Sequence, residues 1–492
     1  MSVTAVPHEA IAVPDAHHAG PDGSVSEPHH RTPGPRQRVL AALARRRAAL
    51  AMLAVMFALG MAYTFGWNPI VHHSPSWTDA NDEWGIFLGA HLVGWGYLGG
   101  IYNTGTGIVT FPGIAVILAP AAILSDWLHL TSSIGQFDLP RPTSLLLIEP
   151  LELLLAGSVI VAADALADGL GAPRGRRYGL VAVVGVLAFP VATVWGHAED
   201  ALALTFALYA MVAVLRANWR SAGWLFGCAI VVQPLVALTF PLFLATSPRG
   251  AKLLFVARSA VLSAFLVGVA WLGNPSGAYR ALVQQPTPPS MNHPTPWIAL
   301  APKVAGTTVS GIGTAARVAA GTGVVHTATA LHRSVGAVSG GSGRSIYLAL
   351  ALLLGVYVWR RPQDPVRLLW LAGLVLAARC FFEAVMTPYY LAPPLFLLLV
   401  LAARTDVRRF AGSVAVALGI SWFAYWHFAP WVWWPPVVVG LLVILALAYP
   451  GTNETRGLTS DTTAAVGRAR NGSDDAGPAG VDGPGVSIPV DV

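Results

Sequence analysis

Four separated stretches carry side chains that move protons and hold polar ligands. "SWTDANDEW" contains Asp79, Asp82 and Glu83, and "GHAED" contains His197, Glu199 and Asp200. "QQPTPPSMNHPTPW" offers Gln284, Gln285, Asn292 and His293, and "RCFFEAVMTPYY" offers Arg379, Glu383, Tyr389 and Tyr390. A carboxylate can take a proton as general base, and an arginine fork can grip an anion at two points. Each residue alone also has a plainer account. Asp200 opens a helix, where the dipole favours an acid. Arg379 and Glu383, spaced i, i+4, can pair along one helix. Tyr389, Tyr390 and the tryptophans of "PWVWW" suit a membrane interface. What points to a shared polar site is the convergence of four loops.

Those loops hang between apolar runs. The chain has 492 residues, 55% hydrophobic and only 11% charged, and its mean hydropathy is +0.60. Soluble domains carry about a quarter charged residues, so this is an integral membrane protein. The +6 net charge sits largely in arginine clusters beside apolar runs, so no nucleic-acid partner is expected. Cys228 and Cys380 both lie in apolar runs and suggest no disulfide framework. Residues 1–40 and 451–492 read as disordered cytoplasmic tails flanking a membrane domain at 41–450. Their Pro, His, Gly, Ser and Asp content has no apolar period, and the irregular N-terminal histidines complete no metal site. No cleavable signal is expected, because the first apolar run starts near residue 48.

Basic clusters set the expected topology. Arg45, Arg46 and Arg47 place the N-terminus inside; Arg174, Arg176 and Arg177 mark a second inner loop. Only one of the runs 108–125 and 144–165 can then cross. Pro112 and Pro120 nominate 108–125 as a broken re-entrant or surface segment. The run 222–245 has basic residues at both ends and reads as a hairpin of half-spans broken at Gln233-Pro234. Ten crossings result: 48–66, 144–165, 178–195, 200–215, 253–272, 346–359, 367–386, 390–403, 410–428 and 436–449. The fold class is an all-α polytopic bundle with both termini inside and the four polar stretches outside. Acids in or beside spans are costly and are functional candidates by default.

This order of parts resembles the GT-C class of integral membrane glycosyltransferases, and more narrowly the polyprenol-phosphate-mannose-dependent mannosyltransferases of actinobacteria. There, a first-loop acid leads into an amphipathic stretch, a tyrosine and an aromatic-Pro motif opening an apolar run. Here those parts read "DANDEWGIFLGAHL", Tyr102 and "TFPGIAVILAP". A second acidic loop matches "GHAED", with His197 standing where such sequences often have Gln, and a Gly-containing run ending in Gln-Pro matches "GWLFGCAIVVQPL". The likeness covers about residues 48–450 in layout.

The resemblance implies inverting transfer of a mannose-like sugar from a polyprenyl-phosphate donor to an envelope glycan or glycolipid. It implies that Asp82 or Asp79 is the base, and two candidates leave that choice open. Glu83, His197, Glu199, Asp200, Gln233, Gln285, Asn292, His293, Arg379, Glu383, Tyr389 and Tyr390 would bind substrate, with Arg379 or Arg280 on the phosphate. Asp82 and Glu199 could share a divalent ion, as in oligosaccharyltransferases. Lipid-phosphate-sugar enzymes usually need none, so no metal or other cofactor is expected. Composition rich in Ala, Gly, Val and Arg suggests a GC-rich bacterium, hence the bacterial plasma membrane. A transporter is the rival class, since broken half-spans and intramembrane polar groups mark transporters too. Against it, the two halves show no internal repeat and the polar groups gather at one face. A silent binding or scaffolding protein of the same fold is a third possibility.

Overall fold

The structure, a computed structural model, describes residues 40–41, 43–78, 80, 83–102, 108–131, 141–289, 292–311, 331–426 and 428–451. The expected tails at 1–39 and 452–492 lie outside the described residues, as do Asp79 and Asp82. The chain divides into Met1–Arg45, whose described residues are helical, and Arg46–Val492, which holds the apolar helices and the polar stretches between them.

Among the described residues, eight helices are long and apolar enough to cross a membrane: Arg47–Val71, Leu145–Gly169, Arg174–Thr193, Ala198–Leu215, Arg249–Gly273, Gly341–Arg360, Pro365–Phe382 and Pro430–Leu447. The chain is therefore a helical polytopic protein fit for a membrane. Its α-helices in chain order begin with α1 (Arg47–Ala62), α2 (Glu83–Gly94), α3 (Gly113–Trp127), α4 (Leu145–Gly169) and α5 (Arg174–Thr193). Then come α6 (Ala198–Leu215), α7 (Trp219–Val232), α8 (Phe240–Thr246) and α9 (Lys252–Gly273). The set closes with α10 (Gly341–Arg360), α11 (Pro365–Phe382), α12 (Ala392–Ala402), α13 (Val407–Ala424) and α14 (Pro430–Leu447). Four-residue helical turns at Asn68–Val71 and Pro275–Ala278 add to these.

Burial sorts the helices into a core and a lipid-facing shell. α6 and α12 are buried along nearly their whole length, as helices apolar on every side should be. α9, α10 and α14 instead expose large apolar side chains such as Leu253, Leu272, Leu353 and Val439. Glycines let α1 approach its neighbours: Gly60 faces Leu153, Gly157 faces Leu53 and Gly185 faces Met52. With lipid tails as apolar as leucine, such close van der Waals packing is what holds membrane helices together.

The starts of α11 and α13 follow from local chemistry. Asp364 accepts from the backbone N–H groups of Val366 and Arg367 at 3.1 and 3.0 Å, with Pro365 following it at the first helical position. Asp406 caps α13 through Arg408 and Arg409 at 2.9 and 3.0 Å. Those backbone bonds hold its carboxyl below the usual aspartate range.

The break expected at Gln233-Pro234 is present. α7 stops at Val232, Gln233 is extended, and a 3₁₀ segment, Pro234–Thr239, leads into α8. Pro234 has no N–H to continue the ladder and biases Gln233 away from helix. At 108–125 the expectation needs correcting in detail. Pro112 does sit just before α3, but Pro120 lies inside it without ending it. Apolar helices tolerate an internal proline where neighbouring groups take up the freed carbonyl. α3 has 15 residues, fewer than a perpendicular crossing requires. Two of the ten expected crossings fall outside the eight long apolar helices. At 390–403, Pro388 opens a 3₁₀ turn and leaves α12 only 11 residues; at 410–428, α13 opens on Arg408 and Arg409.

Two small antiparallel sheets were not expected. β1 (His293–Pro294) pairs with β4 (Val385–Met386), tying the long segment after α9 to the turn after α11. β2 (Lys303–Gly311) pairs with β3 (Leu331–Val338). β-branched residues favour these strands, while interleaved glycine and alanine hide their alternation in the sequence.

Candidate functional site

Polar side chains collect at both ends of α4, and the two collections differ. At its C-terminal end Asp164 and Asp168 meet Arg46 and Arg177. Arg177 donates to both Asp164 oxygens at 2.8 and 2.9 Å and also to Asp168. Arg46 bridges the same two acids at 2.8 and 2.9 Å. Two arginines against two aspartates is a neutral clamp, and it joins the starts of α1 and α5 to the end of α4.

The N-terminal end of α4 gathers acids from three helices. Glu149 and Glu152 project from its first turns, Glu83 begins α2, and Glu199 and Asp200 begin α6. These five carboxylates are only 1–4% exposed. Thr64, in a π turn that follows α1, donates to Glu149 Oε1 at 2.8 Å. Glu152 lies within electrostatic reach of Glu83, Glu149, Glu199 and His197. A buried charge costs several kcal/mol unless it is compensated, so such a group needs cations, protons or ligand donors to persist.

The first and second acidic loops touch through Gly196. Its φ of +66° suits glycine, and a Cβ there would lie 2.7 Å from the Glu83 backbone nitrogen and 3.0 Å from the Glu83 Cβ. His197 follows, its N–H bonded to Val191 O at 3.0 Å. Its Nδ1 lies 2.5 Å from Glu199 Oε1, and its ring stacks on Tyr389 at 3.8 Å. Glu199 Oε2 and Asp200 Oδ2 are buried with no hydrogen-bond partner.

A chain of hydrogen bonds ends on Asp200. Tyr102 donates to Thr110 O at 3.0 Å, and Thr110 Oγ1 approaches Gln233 Oε1 at 3.4 Å. Gln233 Nε2 then donates to Asp200 Oδ1 at 2.7 Å. Gly113 packs directly on the backbone of Val231 and Val232, which brings the two breaks together. Burial pushes the Tyr102 phenol above its ordinary range, so it stays a donor.

The basic side of the site is built around Glu383. It accepts from Arg344 Nε and Tyr347 OH, each at 3.2 Å, and forms an ion pair with Arg379 Nε at 3.7 Å. The i, i+4 pair of Arg379 and Glu383 expected from spacing thus exists, but Glu383 is shared. The Arg379 guanidinium lies 3.3 Å from the Tyr390 ring centre, a cation–π contact, and reaches Asp200 electrostatically. Thr295 Oγ1 bonds Glu383 O at 2.7 Å, and Trp297 Nε1 bonds Phe381 O at 2.8 Å. The "HPTPW" stretch therefore clamps the end of α11.

Of the candidates named from sequence, Glu83, His197, Glu199, Asp200, Gln233, Arg379, Glu383, Tyr389 and Tyr390 join this constellation. Three sit elsewhere in its surroundings. Gln285, at φ +42°, bonds Val109 O at 3.1 Å. Asn292 bonds Pro288 O at 3.4 Å, and His293 stacks on Trp433 at 4.4 Å. Sequence reasoning missed Glu149, Glu152, Thr64, Thr110, Arg344 and Tyr347. Two acids three apart in "LLLIEPLELLL" were a visible signal, because acids inside an apolar run are expensive. Among the described residues, two groups have the spacing to hold a metal ion: His197 with Glu199 and Asp200, and Glu83 with Glu149 and Glu152. No protein-family model, curated protein or solved structure matches the chain.

Proposed function

We propose that this protein is a GT-C-type membrane glycosyltransferase that moves a mannose-like sugar from a polyprenyl phosphate to an envelope glycan or glycolipid. The observation that carries the reading is the hydrogen-bond chain from Tyr102 through Thr110 and Gln233 to Asp200. It links, side by side, the parts on which the resemblance rests: the tyrosine, "TFPG", the Gln-Pro break and "GHAED".

The chemistry fits the groups available. The acceptor oxygen attacks the anomeric carbon while the carbon–oxygen bond to phosphate breaks. The bonding pair leaves with the phosphate, and the acceptor proton passes to a carboxylate. By resemblance that base is Asp82 or Asp79, on the loop leading into Glu83 and α2. Arg379 and Arg344, which meet at Glu383, offer positive charge to the departing phosphate. The free oxygens of Glu199 and Asp200 accept sugar hydroxyls.

An apolar groove of about 610 Å³ runs between α7, α8 and α9, lined by Phe111, Ile230, Phe240, Val256, Ala260 and Trp271. Phe111 adjoins Thr110, and Ile230 is three residues before Gln233, so the groove starts beside the hydrogen-bond chain. A prenyl tail matches that lining. Orientation follows the arginines: the Arg46–Arg177 end would be cytoplasmic and the acidic end external, in a bacterial plasma membrane. The carboxylates lie at helix ends rather than at mid-helix, which counts against a transporter.

The test is transfer from radiolabelled polyprenyl-phosphate mannose to an envelope lipid extract by purified protein in nanodiscs, beside Asp79→Asn and Asp82→Asn. Product formation lost in one variant supports the reading and names the base. No turnover with mannose, arabinose and glucose donors would reject it.

A further inference from the structure

Glu83, Glu149 and Glu152 form a group of their own beside the His197 loop. One oxygen from each lies within 4.8 Å of the others, and the three residues are 1%, 3% and 2% exposed. They reach that point from the start of α2 and from one face of α4, where i, i+3 spacing stacks two side chains. Three carboxylates facing one another in a buried place repel strongly. His197 lies within electrostatic reach of Glu152 and attracts it, and its Nδ1 is also engaged by Glu199 at 2.5 Å. Glu152 Oε1 is buried and has no hydrogen-bond partner.

We infer that Glu83, Glu149 and Glu152 bind a hard divalent cation. The donors are all oxygens, which favours calcium, magnesium or manganese over zinc or copper. Thr64 donating to Glu149 Oε1 at 2.8 Å is the kind of outer bond that orients a metal-binding carboxylate. The cation would neutralise two of the three charges. It would also lock the start of α2 onto α4. This goes beyond the sugar-transfer reading and does not depend on it.

The test uses the full chain in nanodiscs, stripped with EDTA and titrated with Mn²⁺, with free Mn²⁺ read by its electron paramagnetic resonance signal. The expected result is one saturable Mn²⁺ per chain, displaced by Ca²⁺. Glu149→Gln and Glu152→Gln should each weaken it at least about tenfold, the scale on which even outer-shell changes act. Glu199→Gln, which removes a nearby charge but no ligand, should weaken it by less than either. Glu152→Asp, which keeps the charge while shortening the reach, should also weaken binding and guards against misfolding of the neutral variants. Absence of saturable binding in the wild type, or unchanged affinity in Glu152→Asp, overturns the proposal in favour of carboxylates that share protons. An equal loss in Glu199→Gln overturns the assignment to this trio. No sugar donor is present, so failure here leaves the transfer reading untouched, and failure of transfer leaves this result standing.

Discussion

Gln233 donates from Nε2 to Asp200 Oδ1 at 2.7 Å, so the residue at which α7 breaks holds an acid at the start of α6. The break frees Gln233 from the helical wheel and aims its amide at the carboxylate. Gln233→Leu keeps the size and removes the donor. A hydrogen bond to a charged group is worth about 1.5–3 kcal/mol, hence about ten- to a hundredfold in transfer kcat/KM. Gln233→Glu should be worse, because it sets a second buried acid against Asp200. Steady-state kinetics on both variants, with unfolding temperature as control, checks this.

His197 stands between Glu199 and Tyr389, and two substitutions separate its roles. His197→Gln keeps a donor for Glu199 and loses the stack; His197→Ala loses both. Removing one partner of a buried charged hydrogen bond costs about 2–5 kcal/mol. Transfer by His197→Ala should therefore fall by at least about thirtyfold, while His197→Gln stays within about tenfold of wild type. Equal loss in both would mean that the Tyr389 stack is what matters.

Much of this site was legible in the sequence, and the illegible part has a physical pattern. "GHAED", Gln233-Pro234 and "TPYY" stood out because each interrupts an apolar run with proline or charge. Glu149 and Glu152 were passed over because the run around them continues. The role of Arg344 depends on its bond to Glu383, 39 residues away on another helix, a contact that local pattern does not encode. Pro120 carries no such signal, since a single proline inside an apolar helix need not end it. The sheet of β2 and β3 was invisible because glycines dilute its alternation.

The groove beside α9 predicts a chain-length effect. Ala260 lines it and is exposed, so Ala260→Trp should fold normally while obstructing the tail. Because a displaced prenyl tail moves into lipid as apolar as the groove, the penalty is lost fit rather than lost burial. KM for a long-chain donor should rise about three- to tenfold, a small effect of that kind. KM for a donor with a two-isoprene tail should not change. Donor titrations at both chain lengths, in the same nanodiscs, decide this.

Glu383 neutralises part of a buried basic group, so its loss should cost stability before it costs chemistry. Glu383→Ala strands Arg344, Arg379 and the Tyr347 hydroxyl together. Breaking a buried ion pair on one side costs about 3–5 kcal/mol. A clear drop in thermal unfolding midpoint and in detergent-extracted yield is expected. The additional change Arg344→Met should recover part of it, by removing one of the two unpaired charges. No recovery in the double variant would show that Glu383 acts through the backbone turn held by Thr295.

Gly196 joins the two acidic loops, and its replacement tests whether their closeness matters. At φ +66° an alanine pays for the left-handed backbone, about 1 kcal/mol. Its Cβ would also press on the Glu83 nitrogen at 2.7 Å, which backbone atoms cannot relieve by a rotamer change. The chain must therefore push α2 away from α6. Gly196→Ala should lose transfer by at least about a hundredfold, since displacement of a reacting group by about 1 Å is enough for that. The fold should survive, because α4, α5 and α6 pack over long apolar faces away from this turn. The paired measurement is transfer rate against unfolding midpoint. A fall in rate with the midpoint retained is the expected outcome, and retained transfer would separate the first acidic loop from the site.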